Sequence, residues 1–462
     1  MATITFNKFD LGIDLRKGAS VSDANRLREM KNAYVTTGLA TAKRPGLTKV
    51  ADLEPGTKGL FSAFGKLHTF YGSGSVTHAN PLFQANLVQF SGGAQPVKSV
   101  PYADVFNASI YAAIEYDNGS IEHHYLDGAS PTHIADGNCP DSRGVIKLAS
   151  KLFAINGATV RYCATGNPRD WSAANNAGFL PTGLNSRGDR SANALGIYRN
   201  NLVVLSRDGA QIWLVDPDPS LMKLDDIVEN VGTSFSETVA NVAGDLYFLS
   251  DYGFRSITTL RLTNNLADVD VGSPIDSIVR PETLVPGVNP RAFYFYGTGQ
   301  YVCAIGNRLF VYSISRTAKI AAWSQYFLSV PVDDFAELGQ ELYIRAGDSV
   351  YKLDPDQHTD DGIQYEVLLD LPYMDFKAPG ESKHIFGADI VVEGQCQFSI
   401  GFDVRDPDAY TPEVKIKGNT RPGGLIPVEC IGTEFALRFR NYDDKPFRLD
   451  SVTLHYNRLG VI

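Results

Sequence analysis

Gln340-Glu341-Leu342-Tyr343-Ile344-Arg345-Ala346-Gly347-Asp348-Ser349-Val350-Tyr351-Lys352-Leu353 reads as two short apolar strands folded about a glycine turn. The same theme opens at Gly65-Lys66-Leu67, Ala108-Ser109-Ile110, Ser150-Lys151-Leu152, Asn200-Asn201-Leu202, Gly244-Asp245-Leu246 and Gly299-Gln300-Tyr301, with turns at Gly72, Gly119, Gly157, Gly209, Gly253 and Gly306. The anchors Leu67, Ile110, Leu152, Leu202, Leu246, Tyr301 and Leu342 stand 43, 42, 50, 44, 55 and 41 residues apart. A period of roughly 40–50 residues built of strands and turns predicts a β-propeller, each blade one small four-stranded sheet. Alternation is expected to place apolar side chains on one face, with glycine supplying the positive backbone angles of tight hairpins. Blades that stack face to face close a ring with an axial channel. The ring has six blades or seven, depending on whether the copy at Leu67 closes a blade or joins another domain.

Composition agrees with an all-β chain. The 462 residues are 44% hydrophobic, with 42 Gly and 22 Tyr against 4 Met, which favours strands and turns over helix bundles. By the prior of about 100–200 residues per domain, two to four domains are expected. One short helix is expected over Ser22 to Met30, capped by Ser22, with Asn25 and Arg26 in its first turn.

Net charge is −10, from 42 basic and 52 acidic residues, with no basic tract. That argues against a protein that grips phosphates tightly. It leaves room for a conduit, because a neutral or acidic wall does not retain DNA, although solubility alone explains the balance. Cys139, Cys163, Cys303, Cys396 and Cys430 form no close pair, so neither a disulfide framework nor a zinc site is expected. The segment Met1-Ala2-Thr3-Ile4-Thr5-Phe6 lacks the pattern of a signal peptide, and no apolar run approaches membrane-spanning length. Synthesis in the cytoplasm under reducing conditions, without stable membrane association, is the expectation.

The chain divides into an N-terminal arm (1–54), the propeller (55–353), a polar linker (354–362) and a C-terminal antiparallel β-sandwich (363–462). The sandwich strands are expected at Gln364–Met374, Lys383–Val392, Gln397–Val404, Glu413–Ile416, Ile426–Cys430, Thr433–Phe439 and Phe447–Tyr456.

No catalytic, cofactor or metal constellation emerges. Ser206-Arg207-Asp208-Gly209-Ala210-Gln211-Ile212-Trp213 approaches the Asp-box of sialidase-type propellers, a structural hairpin motif, with its glycine one position early. Asp216-Pro217-Asp218-Pro219 and Asp354-Pro355-Asp356 lack the glycine and terminal glutamate of a calcium loop and read as turns. His123 and His124 are adjacent on a strand and point to opposite faces, so only one can approach His133. Gly72-Ser73-Gly74-Ser75 lacks the strand and helix that frame a phosphate cradle and reads as a hairpin turn. Trp171 and Trp323, each followed by serine, read as packing between blades.

The arm carries a more specific pattern, in which Asn32 precedes Gly38-Leu39 and then Lys43-Arg44-Pro45-Gly46. Together with Val231-Gly232-Thr233-Ser234-Phe235, Asp251-Tyr252-Gly253-Phe254-Arg255-Ser256, Pro274-Ile275-Asp276-Ser277-Ile278 and the closing Arg448-Leu449-Asp450-Ser451-Val452-Thr453-Leu454-His455-Tyr456, it resembles the tail nozzle proteins of short-tailed bacteriophages. These are also called tail hub, tail tubular or packaged-DNA stabilisation proteins. Asn32, Gly38, Arg44, Pro45 and Gly46 are the family-like structural motif: Arg44 supplies several hydrogen bonds, Pro45 fixes the chain and Gly46 permits a turn, so the segment anchors the arm or forms an ordinary turn.

The resemblance implies a non-enzymatic virion protein of the tail, assembled in the host cytoplasm and needing no cofactor. Its ring, usually of six subunits, sits below a head-to-tail adaptor ring and meets a tail fibre, tailspike or needle protein. Double-stranded DNA is retained by the ring and then passes non-specifically through it on infection. The arm and sandwich form the platform around that channel, and no gating residue is assigned. Two rivals are a glycan-active propeller, which requires arginines and acids converging at one propeller mouth, and a receptor-binding propeller.

Overall fold

The computed structural model describes residues 2–20, 23–72, 76–127, 130–185, 191–263, 270–406, 408–420 and 424–461. The chain forms two units: Lys49–Tyr294 with Pro331–Lys352, and Met1–Thr48 with Phe295–Val330 and Leu353–Ile462.

The first unit is a succession of small sheets. Tyr102–Phe106, Ser109–Glu115, Ile121–Asp127 and Ser130–His133 form one four-stranded antiparallel meander. Val145–Leu148, Lys151–Asn156, Thr159–Tyr162 and Gly178–Leu180 form the next, and Ala194–Tyr198, Asn201–Leu205, Gly209–Leu214 and Lys223–Glu229 a third. Ala240–Val242, Asp245–Ser250 and Gly253–Ser256 make three strands, followed by the short helices Ile257–Thr263 and Asp276–Thr283. At the chain's start, Lys58–Ala63 and Lys66–Tyr71 are antiparallel, but Phe83–Leu87 runs parallel to Lys66–Tyr71. The last sheet, Asp334–Leu338, Glu341–Ala346 and Ser349–Asp354, takes its fourth strand from Gly46–Asp52, with Leu53 N donating to Asp348 O and Ser349 Oγ to Asp52. Strands from the two ends of the first unit thus share one sheet, as in the closure of a β-propeller.

The apolar runs are strands at all the anchors, but they bury both faces. Leu152 and Ala154 pack with Phe106, Tyr111 and Tyr125 of the preceding sheet. Phe153, between them in sequence, turns to Leu202, Val204 and Trp213 of the following one. Val203 and Leu205 face onward again, to Leu246 and Phe248. A middle strand sandwiched between sheets is apolar on each side, so the one-sided alternation expected from sequence gives way to a near-continuous run.

The hairpins entering these runs have two consecutive residues of positive φ: Asn107 and Ala108 at 48° and 61°, Ala149 and Ser150 at 50° and 58°, Arg199 and Asn200 at 47° and 64°. This is the turn whose twist matches paired strands. Gly119, Gly157, Gly253, Gly306 and Gly347 have positive φ, whereas Gly72 and Gly209 do not; at Gly72, Gln95 O lies 1.8 Å from where a Cβ would be, and close approach is what demands glycine there. Ser73, Gly74 and Ser75 lie outside the described residues.

The second unit contains two larger sheets. Ala33–Val35, Thr41–Lys43, Arg448–Val461, Glu381–Glu393 and Cys430–Gly432 lie in that order, with Ala2–Phe6 also on Arg448–Val461. In the other, Gln300–Ile305, Arg308–Ser315 and Ile320–Phe327 continue through Glu29–Lys31 to Val367–Asp370, Ala436–Asn441, Cys396–Gly401 and Val414–Ile416. The sixth copy of the hairpin theme therefore belongs by its contacts to this unit. The helix expected up to Met30 is absent among the described residues: Arg26 N closes a turn on Asp23 O, and Glu29–Lys31 is a strand. Its partners Leu368, Leu369 and Asp370 outcompete the local preference. Ser22 lies outside the described residues.

Candidate functional site

Asn32, Arg44, Pro45 and Gly46 converge in the second unit. Arg44 follows the strand Thr41–Lys43, and its side chain is completely shielded from water. Its Nη1 and Nη2 donate to Asp360 Oδ1 and Oδ2 at 2.8 and 2.7 Å. Nη1 also reaches Pro45 O at 2.9 Å, Nη2 reaches Phe327 O at 3.0 Å, and Nε donates to Asn32 Oδ1 at 3.0 Å. The Tyr365 ring lies 3.7 Å from the guanidinium carbon, and its hydroxyl donates to Arg44 O at 2.7 Å. Burial pushes the Tyr365 phenol well above its ordinary range and, with Arg44 adding to the effect, lowers neighbouring Lys43 to about 8.

Asn32 sits at φ 53°, a conformation asparagine tolerates better than most residues. Its Oδ1 also accepts from Phe327 N at 2.7 Å, and its Nδ2 donates to Glu366 O at 2.7 Å. Gly46 N donates to Gln357 O, and a Cβ on Gly46 would lie 2.2 Å from Thr359 O. Gly38 is not part of this cluster. It is exposed in the turn between Thr36 and Ala40, where Leu39 carries the positive φ. A buried ion pair with this many partners and no solvent-facing reactive atom joins chain segments; it offers no chemistry to a substrate. Asp360, read in sequence as one acid of a polar linker, is its missed half.

In the first unit, a cavity of about 560 Å³ is lined by Leu60, Tyr102, Val145, Ala194, Val239, Arg291 and Asp334 among others. Most of these lie on the first strands of successive sheets, so the cavity follows the axis about which the sheets are arrayed. Arg143 and Arg291 meet Glu237 and Asp334 there, and Tyr102, also in the wall, directs its hydroxyl to Asp104 at 3.3 Å.

A second cavity of about 790 Å³ is lined by Glu122, His123, His133, Asp136 and Cys139. His123 contacts the Tyr111 hydroxyl and Cys139 Sγ through Nδ1, and Ser142 O through Nε2 at 2.8 Å. His124 turns to the other face, where Tyr116 OH meets its Nε2 at 2.8 Å and His133 lies opposite in the ladder. Burial lowers His123 to about 4 and His124 to about 3. Among the described residues no group of three metal-binding side chains has geometry for an ion.

The remaining motifs serve turns and packing. Ser206 Oγ donates to Gly209 O, and Trp213 Nε1 donates to Gln211 Oε1 within the core. Asp218 caps the turn Pro219–Leu221, and Asp354 accepts from Thr48 and Asp356. Trp171 and Trp323 are buried, the latter tilted against Tyr312 at 4.7 Å. All five cysteines are free thiols. Among the described residues no helix is long and apolar enough to cross a membrane.

No family model and no curated protein matches the chain. Solved structures resemble it in part. BamB from Moraxella catarrhalis is 12% identical over 66% of this chain and 96% of its own, with a TM-score of 0.36. The Pan2 WD40 domain of Neurospora crassa is 10% identical over 71% and 88%, with a TM-score of 0.35. An exo-β-1,3-galactanase from Phanerochaete chrysosporium is 9% identical over 79% and 97%, with a TM-score of 0.29. None of them supplies an activity to this chain.

Proposed function

We propose that the chain is a structural subunit of a short phage tail, forming with further copies a nozzle ring that extends the DNA channel below an adaptor, retains packaged DNA and lets it pass on infection. The observation that carries this reading is the Arg44–Asp360 pair. Asn32, Arg44 and Gly46, three of the arm residues that resemble the nozzle family, are buried ties between the arm, the Phe327 strand and the 357–366 segment, which suits a rigid platform. In this reading the two larger sheets pack as the platform sandwich, and the small sheets of the first unit are blades of a propeller of six or seven blades. The ring, in this family usually of six subunits, closes by heterologous contacts. Electron microscopy of the intact particle tests the proposal: density for this chain around the tail axis is expected, and density elsewhere overturns it.

A second reading has one observation in its favour. Arg143, Arg291, Glu237 and Asp334 converge at the axial cavity, as a glycan-active propeller requires. Both arginines are already engaged by carboxylates of the chain, which supports a structural role instead. Hydrolysis of a host surface polysaccharide by the purified chain, abolished by Arg291→Met, would establish the glycan-active alternative.

A further inference from the structure

A chain of charges runs into the axial cavity, whose wall includes Arg143, Glu237, Arg291 and Asp334. Glu115, at the end of Ser109–Glu115, pairs with Lys98 at 2.8 Å and with Arg143 Nε at 3.2 Å. Arg143, just before Val145–Leu148, reaches Glu237 Oε1 at 3.7 Å and donates to Val100 O at 2.8 Å. Glu237 stands in the short turn Ser236–Thr238 and takes Arg291 Nη1 on its other oxygen at 3.3 Å. Arg291 Nε pairs with Asp334 Oδ1 at 2.7 Å, and Asp334 Oδ2 accepts from Leu60 N at 2.7 Å. Arg345, beside Asp334 on the next strand, donates to Thr57 O.

These links differ in kind from the apolar packing. The hydrophobic clusters join each sheet to its neighbour: Phe106 and Tyr111 to Leu152, Phe153 to Leu202, Val203 to Leu246, and at the seam Leu60 and Leu67 of the first sheet to Ala336, Tyr343 and Val350 of the last. Glu237 instead reaches Arg143 past the whole Ala194–Glu229 sheet, while Asp334 adds a hydrogen bond to Leu60 N at the apolar seam between the last sheet and the first. The side chains of Arg143, Glu237, Arg291 and Asp334 are 29%, 31%, 17% and 5% exposed, so water screens the pairs less than pairs on an open surface.

We propose that this chain is an axial clasp: Glu237, bridging two arginines, ties the middle sheets across the cavity while Asp334 ties the last sheet to the first, and together they hold the ring of sheets closed against opening. The cavity is then filled by a mechanical device of the fold. Ionic strength loosens it, and loss of the Glu237 charge releases its central link.

Hydrogen–deuterium exchange on the full chain tests the clasp. Glu237→Gln keeps the shape and removes the charge; amides of Lys58–Ala63 and Asp334–Leu338 are expected to exchange roughly tenfold faster, the effect of about 1.4 kcal/mol in opening. Ala436–Asn441, in the other unit, is expected to keep its rate. Raising NaCl from about 0.05 M to about 0.5 M should speed the same two strands in the unaltered protein, a reading that needs no variant. Unchanged exchange on those strands in either arm, or acceleration confined to residues 236–238, overturns the proposal.

Discussion

Arg44 and Asp360, 316 positions apart in sequence, meet through two hydrogen bonds of 2.8 and 2.7 Å with both side chains out of water. Removing one member leaves the other's charge buried and unpaired, which costs about 3–5 kcal/mol. Arg44→Met and Asp360→Asn are each expected to lower stability by that order in urea denaturation. Arg44→Lys is expected to fall short of wild type as well, because one ammonium cannot serve Asp360, Asn32, Pro45 and Phe327 together. The double variant Arg44→Met/Asp360→Leu should lose less than the sum of the single changes.

Gly46 and Gly38 belong to one motif yet should respond oppositely to alanine. At Gly46 the new Cβ would lie 2.2 Å from Thr359 O, a backbone atom, so Gly46→Ala is expected to cost about 1–3 kcal/mol or more as 357–360 is pushed away. At Gly38 the nearest atom is Thr36 Oγ1 at 3.7 Å, and Gly38→Ala is expected to stay within about 0.5 kcal/mol of wild type. Thermal unfolding of the two variants side by side makes the comparison.

This contrast marks what the sequence makes legible. The hairpin period reveals repeated sheets because Leu152, Leu202 and Leu246 must each be buried wherever the theme recurs. Arg44 stands out by its place among the other family-like segments, since Arg-Pro-Gly by itself recurs at 421–423; its partner does not stand out, since Asp360 sits among other acids in a proline-containing segment. The entry turns are equally hidden. Ala149-Ser150 and Arg199-Asn200 adopt positive φ because the flanking ladders hold them there, not because most of these residues favour it. Arg143, Glu237 and Arg291 meet only after the sheets close, so no spacing along the chain announces the axial cluster.

Lys383 is wholly buried, and its ammonium donates to Ala378 O at 3.0 Å, Glu381 O at 2.8 Å and Thr433 O at 2.9 Å. It holds two loops to one strand in the way a bound cation would. Lys383→Met fills the stem's space but leaves carbonyls without a donor, at about 1–3 kcal/mol for each that stays dry. Urea denaturation should show a clear loss, and exchange should rise at residues 378–381 and 433 before it rises elsewhere.

His123 and His124 make the fold sensitive to acid. Burial holds their folded-state values at about 4 and about 3, below the ordinary 6.5, so protonation favours the unfolded chain. Their contribution is complete above pH 6.5 and declines as pH falls from there toward 4 and 3. Between pH 6.5 and 4.5 each histidine is expected to remove about 2–3 kcal/mol of stability. The pair is distinguishable by its neighbours, His123 against Tyr111, Cys139 and Trp171, His124 against Tyr116, Glu122 and His133. His124→Gln should start less stable at pH 7, having lost the Tyr116 contact, yet fall less steeply between pH 6.5 and 4.5 than the unaltered chain. Unfolding free energies of both proteins across that interval give the two slopes, and equal slopes would show that His124 is not a source of the acid sensitivity.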